Sequence, residues 1–128
     1  LGANVKVCGP PNLIPVHIQD LGIEVEYDFD SMIEWADALN MLRIQRERMG
    51  TGIVPSNREY RALYGLTKER LSKHKKELVV MHPGPMNRGV EIDSYVADCD
   101  QAIILDQVLN GVAVRMSILY LLLGTGDS

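Results

Sequence analysis

Cysteine is nearly absent: Cys8 and Cys99 are the only two in 128 residues, and no motif accompanies either. So few and so isolated, they read as buried reduced thiols rather than as a disulfide framework or a metal pair. Positive charge is also short. A formal net charge of -4 argues against nucleic acid or an anionic membrane surface as the main partner. The opening Leu1-Gly2-Ala3-Asn4 has neither the basic flank nor the apolar run of a signal peptide. Neither common Gly-rich phosphate loop occurs, nor a Gly-x-Ser-x-Gly elbow, an internal repeat or a low-complexity segment. The longest apolar stretch, Val108 to Leu123, is interrupted by Asn110, Arg115 and Ser117. It is shorter than a bilayer-spanning helix requires, so no membrane span is expected.

What remains is an ordinary globular composition, 46% apolar and 23% charged, in a chain long enough to bury a core. A cytoplasmic location is expected. The chain starts without Met on what reads as the tail of a helix, which predicts a cut inside a fold.

Strand-like and helix-like segments alternate. Val5-Lys6-Val7-Cys8 reads as a strand closed by Gly9-Pro10-Pro11, and a short helix is expected between Pro15 and Gly22. Ile23 to Tyr27 alternates with period two, as an edge strand does. Ser31-Met32-Ile33-Glu34 and Ser56-Asn57-Arg58-Glu59 both have capping-box spacing, and Thr67 can cap a helix from Lys68 to Lys76. The basic cluster on that helix reads as a solvated face. Ala38 to Leu42 and Leu78 to Met81 are apolar runs of the kind covered on both faces. The expectation is an α/β fold: three layers, with a mostly parallel sheet and helices on both faces. The last helix, from Gln107 to Leu123, has Arg115 as its only full charge and no polar face, which predicts a partner outside this segment. Residues 1–105 are therefore read as one truncated domain and 106–128 as a long helix and tail that pack elsewhere.

Two strand ends carry the candidate chemistry. Ala38–Leu42 runs into Arg43-Ile44-Gln45, and Leu78–Met81 into His82-Pro83-Gly84-Pro85. If the strands are parallel neighbours, both ends line one crevice, where open α/β sheets bind ligands. Arg43 and Gln45, two apart, face one side of an extended segment. A guanidinium fork beside an amide suits a carboxylate, at about 1.5–3 kcal/mol per charge-assisted bond. A solvated basic strand end is the alternative reading. The two prolines fix the backbone and leave carbonyls that no ladder uses. His82 is open to three readings, as an acid, a ligand or a structural hydrogen-bonder. No second His or Cys stands at metal-ligand spacing, so no metal is expected.

Leu42-Arg43-Ile44-Gln45-Arg46-Glu47-Arg48, the run from His82 to Ile92 with Arg88 inside it, and Gln107 to Met116 together resemble the aspartate carbamoyltransferase catalytic chain. The resemblance extends from about Leu1 to Leu123. The sister ornithine carbamoyltransferases have Cys where Pro83 stands. The resemblance implies a Rossmann-like aspartate-binding half of an enzyme that condenses carbamoyl phosphate with L-aspartate in de novo pyrimidine synthesis, without a cofactor. It also implies that Arg43 grips the aspartate side-chain carboxylate, with Gln45 beside it. The Pro83 and Gly84 carbonyls and Pro85 would border the carbamoyl amide across a cis Gly84–Pro85 bond. His82 and Arg88 would serve structurally near the site, and 46–66 would be a closing loop. The family's phosphate loop, carbonyl-polarising histidine and neighbouring-subunit lysine belong to a separate carbamoyl-phosphate domain, on which the last helix would pack. No catalytic residue is therefore expected here, and a homotrimer of complete chains is. The competing readings are a related transcarbamoylase for another amine and a non-catalytic α/β binding or assembly module.

Overall fold

The computed structural model describes residues 2–45, 56–74 and 77–124. Strand β1 (Lys6–Cys8) pairs in parallel with β2 (Glu24–Glu26), and Lys6 Nζ lies 2.9 Å from Glu24 Oε2 across the ladder. Strand β3 (Ala38–Asn40) pairs in parallel with β4 (Val79–Met81), with Leu39 opposite Val80. On its other side Val80 bridges to Ala102: its N–H donates to Gln101 O at 2.9 Å, and Ile103 N–H donates to Val80 O at 2.9 Å. Strand β4 is thus bonded along both edges, and Val80 at its centre is fully buried. The α/β class and parallel pairing match the sequence expectation. The ladders are shorter, two pairs of three-residue strands rather than one continuous sheet among the described residues.

Parallel neighbours need a crossover. Between β3 and β4 it carries α2 (Asn57–Tyr64) and α3 (Lys68–Lys73). Both begin where the sequence indicated, on Ser56 Oγ accepting from Glu59 N–H at 3.2 Å and on Thr67 Oγ1 accepting from Arg70 N–H at 3.2 Å. Helix α3 ends at Lys73 rather than Lys76, of which residues 75–76 lie outside the described set. Helix α1 (Phe29–Trp35) starts earlier than the Ser31 expectation. Asp28 is its cap, accepting from Asp30 N–H at 2.9 Å and Ser31 N–H at 3.4 Å, and the earlier start brings Phe29 into the core. The segment before Gly22 forms a 3-10 turn, Ile18–Leu21, instead of a fuller helix.

The core joins Met32 and Ile33 of α1, Leu39, Met41 and Ile44, Tyr60 and Tyr64 of α2, and Leu66, Leu78, Val80, Ile92 and Val96, the last in α4 (Ser94–Ala97). Arg70 departs from the solvated face expected for α3. Its guanidinium bonds Asp30 Oδ1 (2.8 Å), Gly65 O (2.7 Å) and Ala62 O (2.9 Å), and it lies 5.3 Å from the Phe29 ring centre, tying α1, α2 and α3 together.

Helix α5 spans Ile104–Leu123, 20 residues, so the expected boundary at 105/106 falls in its first turn. Ile104 is its one buried residue, and apolar side chains from Leu105 to Leu123 face outward. By length and composition this helix meets the requirement of a membrane span, which the shorter Val108–Leu123 run does not. Length therefore ceases to argue against one.

Candidate functional site at the carboxyl ends of two parallel strands

Because β3 and β4 run parallel side by side, the segments that leave them emerge at the same edge. Met41 N–H donates to Met81 O at 2.8 Å, and the chains then diverge. They are rejoined farther out, where Asn87 Nδ2 donates to Ile44 O at 3.2 Å. Ile44 is buried in the core, while Arg43 and Gln45 on either side of it are half-buried at the rim. The crevice expected from the sequence would lie between these two segments, 41–45 and the 82–87 turn, which the parallel pairing and the Asn87–Ile44 bond bring to one edge.

The turn is built around a fully buried histidine. His82 Nδ1 accepts the Gly84 N–H at 2.9 Å, so the ring proton sits on Nε2, which faces Glu91 Oε1 at 3.3 Å. The same Glu91 oxygen accepts from Asn87 N–H at 2.6 Å. Both ring nitrogens are engaged inside the protein, an arrangement that suits a structural hydrogen-bonder rather than an acid or a metal ligand. Gly84 adopts φ 63, a left-handed conformation that disfavours side chains, and the Gly84–Pro85 peptide is cis. Pro83 and Pro85 are exposed and Gly84 half-buried. Among the described residues no backbone donor reaches the Pro83 or Gly84 carbonyl. Proline supplies no N–H at 83 or 85, so the turn offers acceptors.

Arg88 is engaged with α4 and its C-cap. Its guanidinium makes a bidentate pair with Asp98, both bonds at 2.8 Å, and a longer bond to Ser94 O at 3.4 Å. That pair holds the Asp98 carboxyl below its usual range. The far end of the turn is fastened to the crossover. Leu66 N–H donates to Glu91 O at 2.9 Å, Asp93 N–H donates to Leu66 O at 3.0 Å, and Arg61 forms an ion pair with Asp93. A Cβ on Gly65 would meet Arg61 O at 2.7 Å and Val90 O at 2.8 Å, so only glycine permits this approach. The expected closing loop, 46–66, splits in consequence. Residues 46–55 lie outside the described set, whereas 57–64 is helix α2, joined to the far end of the turn through Arg61 and Asp93.

Sequence reasoning gave Asn87 and Glu91 no role, yet they make the contacts that shape the turn. The available signal was a lone carboxylate between apolar neighbours, Val90-Glu91-Ile92, just after two prolines. Its other oxygen, Oε2, is buried with no donor among the described residues. Such a group costs about 1–3 kcal/mol or more, so its retention asks for a reason. No His/Cys/Asp/Glu cluster able to hold a metal occurs among the described residues. A concavity of about 490 Å³ lies at the amino-terminal ends of β1 and β2, lined by Lys6, Glu24 and Trp35, and includes no residue of the crevice.

The family model for the aspartate/ornithine carbamoyltransferase, Asp/Orn binding domain, matches residues 1–122 and so runs through nearly all of α5. Named relatives include the aspartate carbamoyltransferase catalytic subunits of Carboxydothermus hydrogenoformans and Christiangramia forsetii. The first is 57% identical over all of this chain and 41% of the relative; the second is 60% identical over 94% of this chain and 39% of the relative. Among solved structures, the catalytic subunit of M. jannaschii aspartate transcarbamoylase superposes with a TM-score of 0.66 at 30% identity, covering 89% of this chain and 38% of that one. Ornithine carbamoyltransferase from Pyrococcus furiosus gives 0.78 at 21% identity over 99% of this chain and 44% of that one, a likeness of fold alone. The chain spans about two fifths of the length of the curated relatives it matches. On the strength of the domain match and these identities, the chain belongs to the aspartate/ornithine carbamoyltransferase family, as its Asp/Orn binding domain.

Proposed function

We propose that this chain is the aspartate-binding part of an aspartate carbamoyltransferase, which transfers the carbamoyl group of carbamoyl phosphate to the α-amine of L-aspartate in pyrimidine biosynthesis. Arg43 grips the side-chain carboxylate of aspartate with its planar fork, and Gln45 donates beside it. The Pro83 and Gly84 carbonyls accept the carbamoyl N–H groups, and Pro85 borders them. The amine lone pair attacks the carbamoyl carbon and a C–N bond forms. The C–O bond to phosphate breaks, phosphate leaves with the electron pair, and the proton lost by the amine passes to the departing phosphate. These residues contribute proximity and orientation. The groups that bind phosphate and stabilise the oxyanion come from a carbamoyl-phosphate domain of the same enzyme, with α5 packing on it. The complete chains work as a cytoplasmic homotrimer.

The observation that carries this reading is the meeting of the two segments: Arg43 and Gln45 flank Ile44, whose carbonyl is bonded to the turn bearing Pro83, Gly84 and Pro85. The family also includes enzymes for ornithine. An arginine fork at the amine-substrate wall favours a dicarboxylate over a cationic side chain, and relatives at 50–60% identity carry the aspartate name.

The test is product formation with aspartate and with ornithine. The complete catalytic chain is expected to carbamoylate aspartate and leave ornithine untouched, while the 128-residue chain alone turns over neither. Preference for ornithine would overturn the substrate assignment, and carbamoyl-aspartate made by this chain alone would overturn the division of the site.

A further inference from the structure

None of the roles above uses Glu91, the fully buried carboxylate nine residues beyond His82. Its Oε1 receives a donor from each side of the two prolines: the Nε2–H of His82 at 3.3 Å and the N–H of Asn87 at 2.6 Å. Each donor passes the constraint outward. His82, held in its Nε2–H form, accepts the Gly84 N–H on Nδ1 and so fixes the plane of the peptide that presents the Pro83 carbonyl. Asn87 extends its side-chain amide to Ile44 O, which sets the spacing between the turn and the Arg43 segment. A side-chain carbonyl-type oxygen has two lone pairs, so the single Oε1 can satisfy both donors at once. Glu91 also helps push the phenol of Tyr60 up to about 12, after burial as the main cause, so α2 packs within its electrostatic reach.

We infer that Glu91 is a positioning residue for carbamoyl recognition: one buried carboxylate, acting through His82 and Asn87, aims the acceptor carbonyls of the 83–84 turn and holds that turn at a fixed distance from Arg43. The inference rests on the functional reading above and deepens it. It makes the turn's affinity for the carbamoyl amide depend on a side chain that touches no substrate.

The experiment uses the complete catalytic chain with Glu91→Ala, Glu91→Gln and Glu91→Asp, each assayed below its own melting transition. Because the turn meets only the amide end, loss of the clamp should raise KM for carbamoyl phosphate while leaving inhibition by inorganic phosphate alone. For Glu91→Ala the expected rise is about tenfold, with the phosphate inhibition constant within about twofold. Glu91→Gln retains Oε1 as acceptor and should recover to within about threefold of wild type. Glu91→Asp, one methylene short, should show the Ala pattern at smaller size, and it carries the test if the Ala variant does not fold. Parallel losses in carbamoyl phosphate and phosphate binding would overturn the inference, as would a Gln variant as damaged as Ala or no change in any of them. A wild-type chain that fails to carbamoylate aspartate would instead overturn the functional reading.

Discussion

Helices α2 and α5 show opposite ways of using a chain segment. Helix α2 is eight residues long, capped by Ser56, and buries Tyr60 and Tyr64, whose rings lie 5.5 Å apart. Gly65, Leu66 and the Arg61–Asp93 pair weld its far end to the turn that forms one wall of the crevice. Helix α5 is more than twice as long, has no side-chain cap, and buries only Ile104. Its contact with the crevice strands is slight, with Gln107 donating to Asn40 at the end of β3. Apolar surface is thus spent differently in the two places. Around α2 it fixes the geometry of the turn, and along α5 it lies uncovered among the described residues. An all-round apolar helix stabilises nothing until it is covered.

The sharpest way to test that contrast is one substitution made twice. Leu66→Ala removes a side chain with no exposed surface at the weld between α2 and the turn, and should cost about 2–5 kcal/mol. Leu109→Ala, at a position 69% exposed on α5, should change the stability of this chain by less than about 0.5 kcal/mol. Urea unfolding of the two variants measures both. Equal costs would mean that α5 already packs on this chain and would erase the distinction.

A smaller effect concerns the outer fastening of the turn. Arg88 keeps the Asp98 carboxyl below its ordinary range, so the folded state binds that proton less readily than the unfolded one. The contribution is fully present above the ordinary carboxylate range and is lost as pH falls through the lowered folded value, below about pH 4. Melting temperature against pH should therefore fall less steeply in acid for Asp98→Asn than for wild type. Superimposable acid limbs would show that the pair is screened out by solvent.

The periodic and local features of this fold were legible in the sequence. Ser56 and Thr67 announced α2 and α3 because a cap is a contact over three residues. The four strands were placed within one or two residues, from period-two alternation at β2 and from apolar runs bounded by Gly, Pro or charge at the others. Strands β3 and β4, however, bury one face, through Leu39 and Val80, and not the two faces expected of them. The start of α1 was missed because Asp28 and Ser31 both offer a cap. The choice fell to Asp28 through the burial of Phe29, a tertiary fact. Arg70 looked like one more solvated cation until α1 and α2 closed around it. The site was legible to the extent that Arg43, Gln45 and the two prolines have chemistry suited to a carboxylate and an amide, and the family resemblance gave them roles. Glu91 stayed hidden. Its partners lie four and nine residues away across a turn whose closure no short-range pattern encodes.

The central claim is that the wall carrying Arg43 meets aspartate and the wall carrying Pro83 and Gly84 meets the carbamoyl group. The most direct measurement is steady-state kinetics of Arg43→Lys in the complete catalytic chain, varying each substrate against saturating amounts of the other. Lysine keeps the charge and loses the fork, so KM for aspartate should rise by about tenfold or more while KM for carbamoyl phosphate stays within about twofold. Equal rises for both substrates, or a rise confined to carbamoyl phosphate, would contradict the assignment of the two walls.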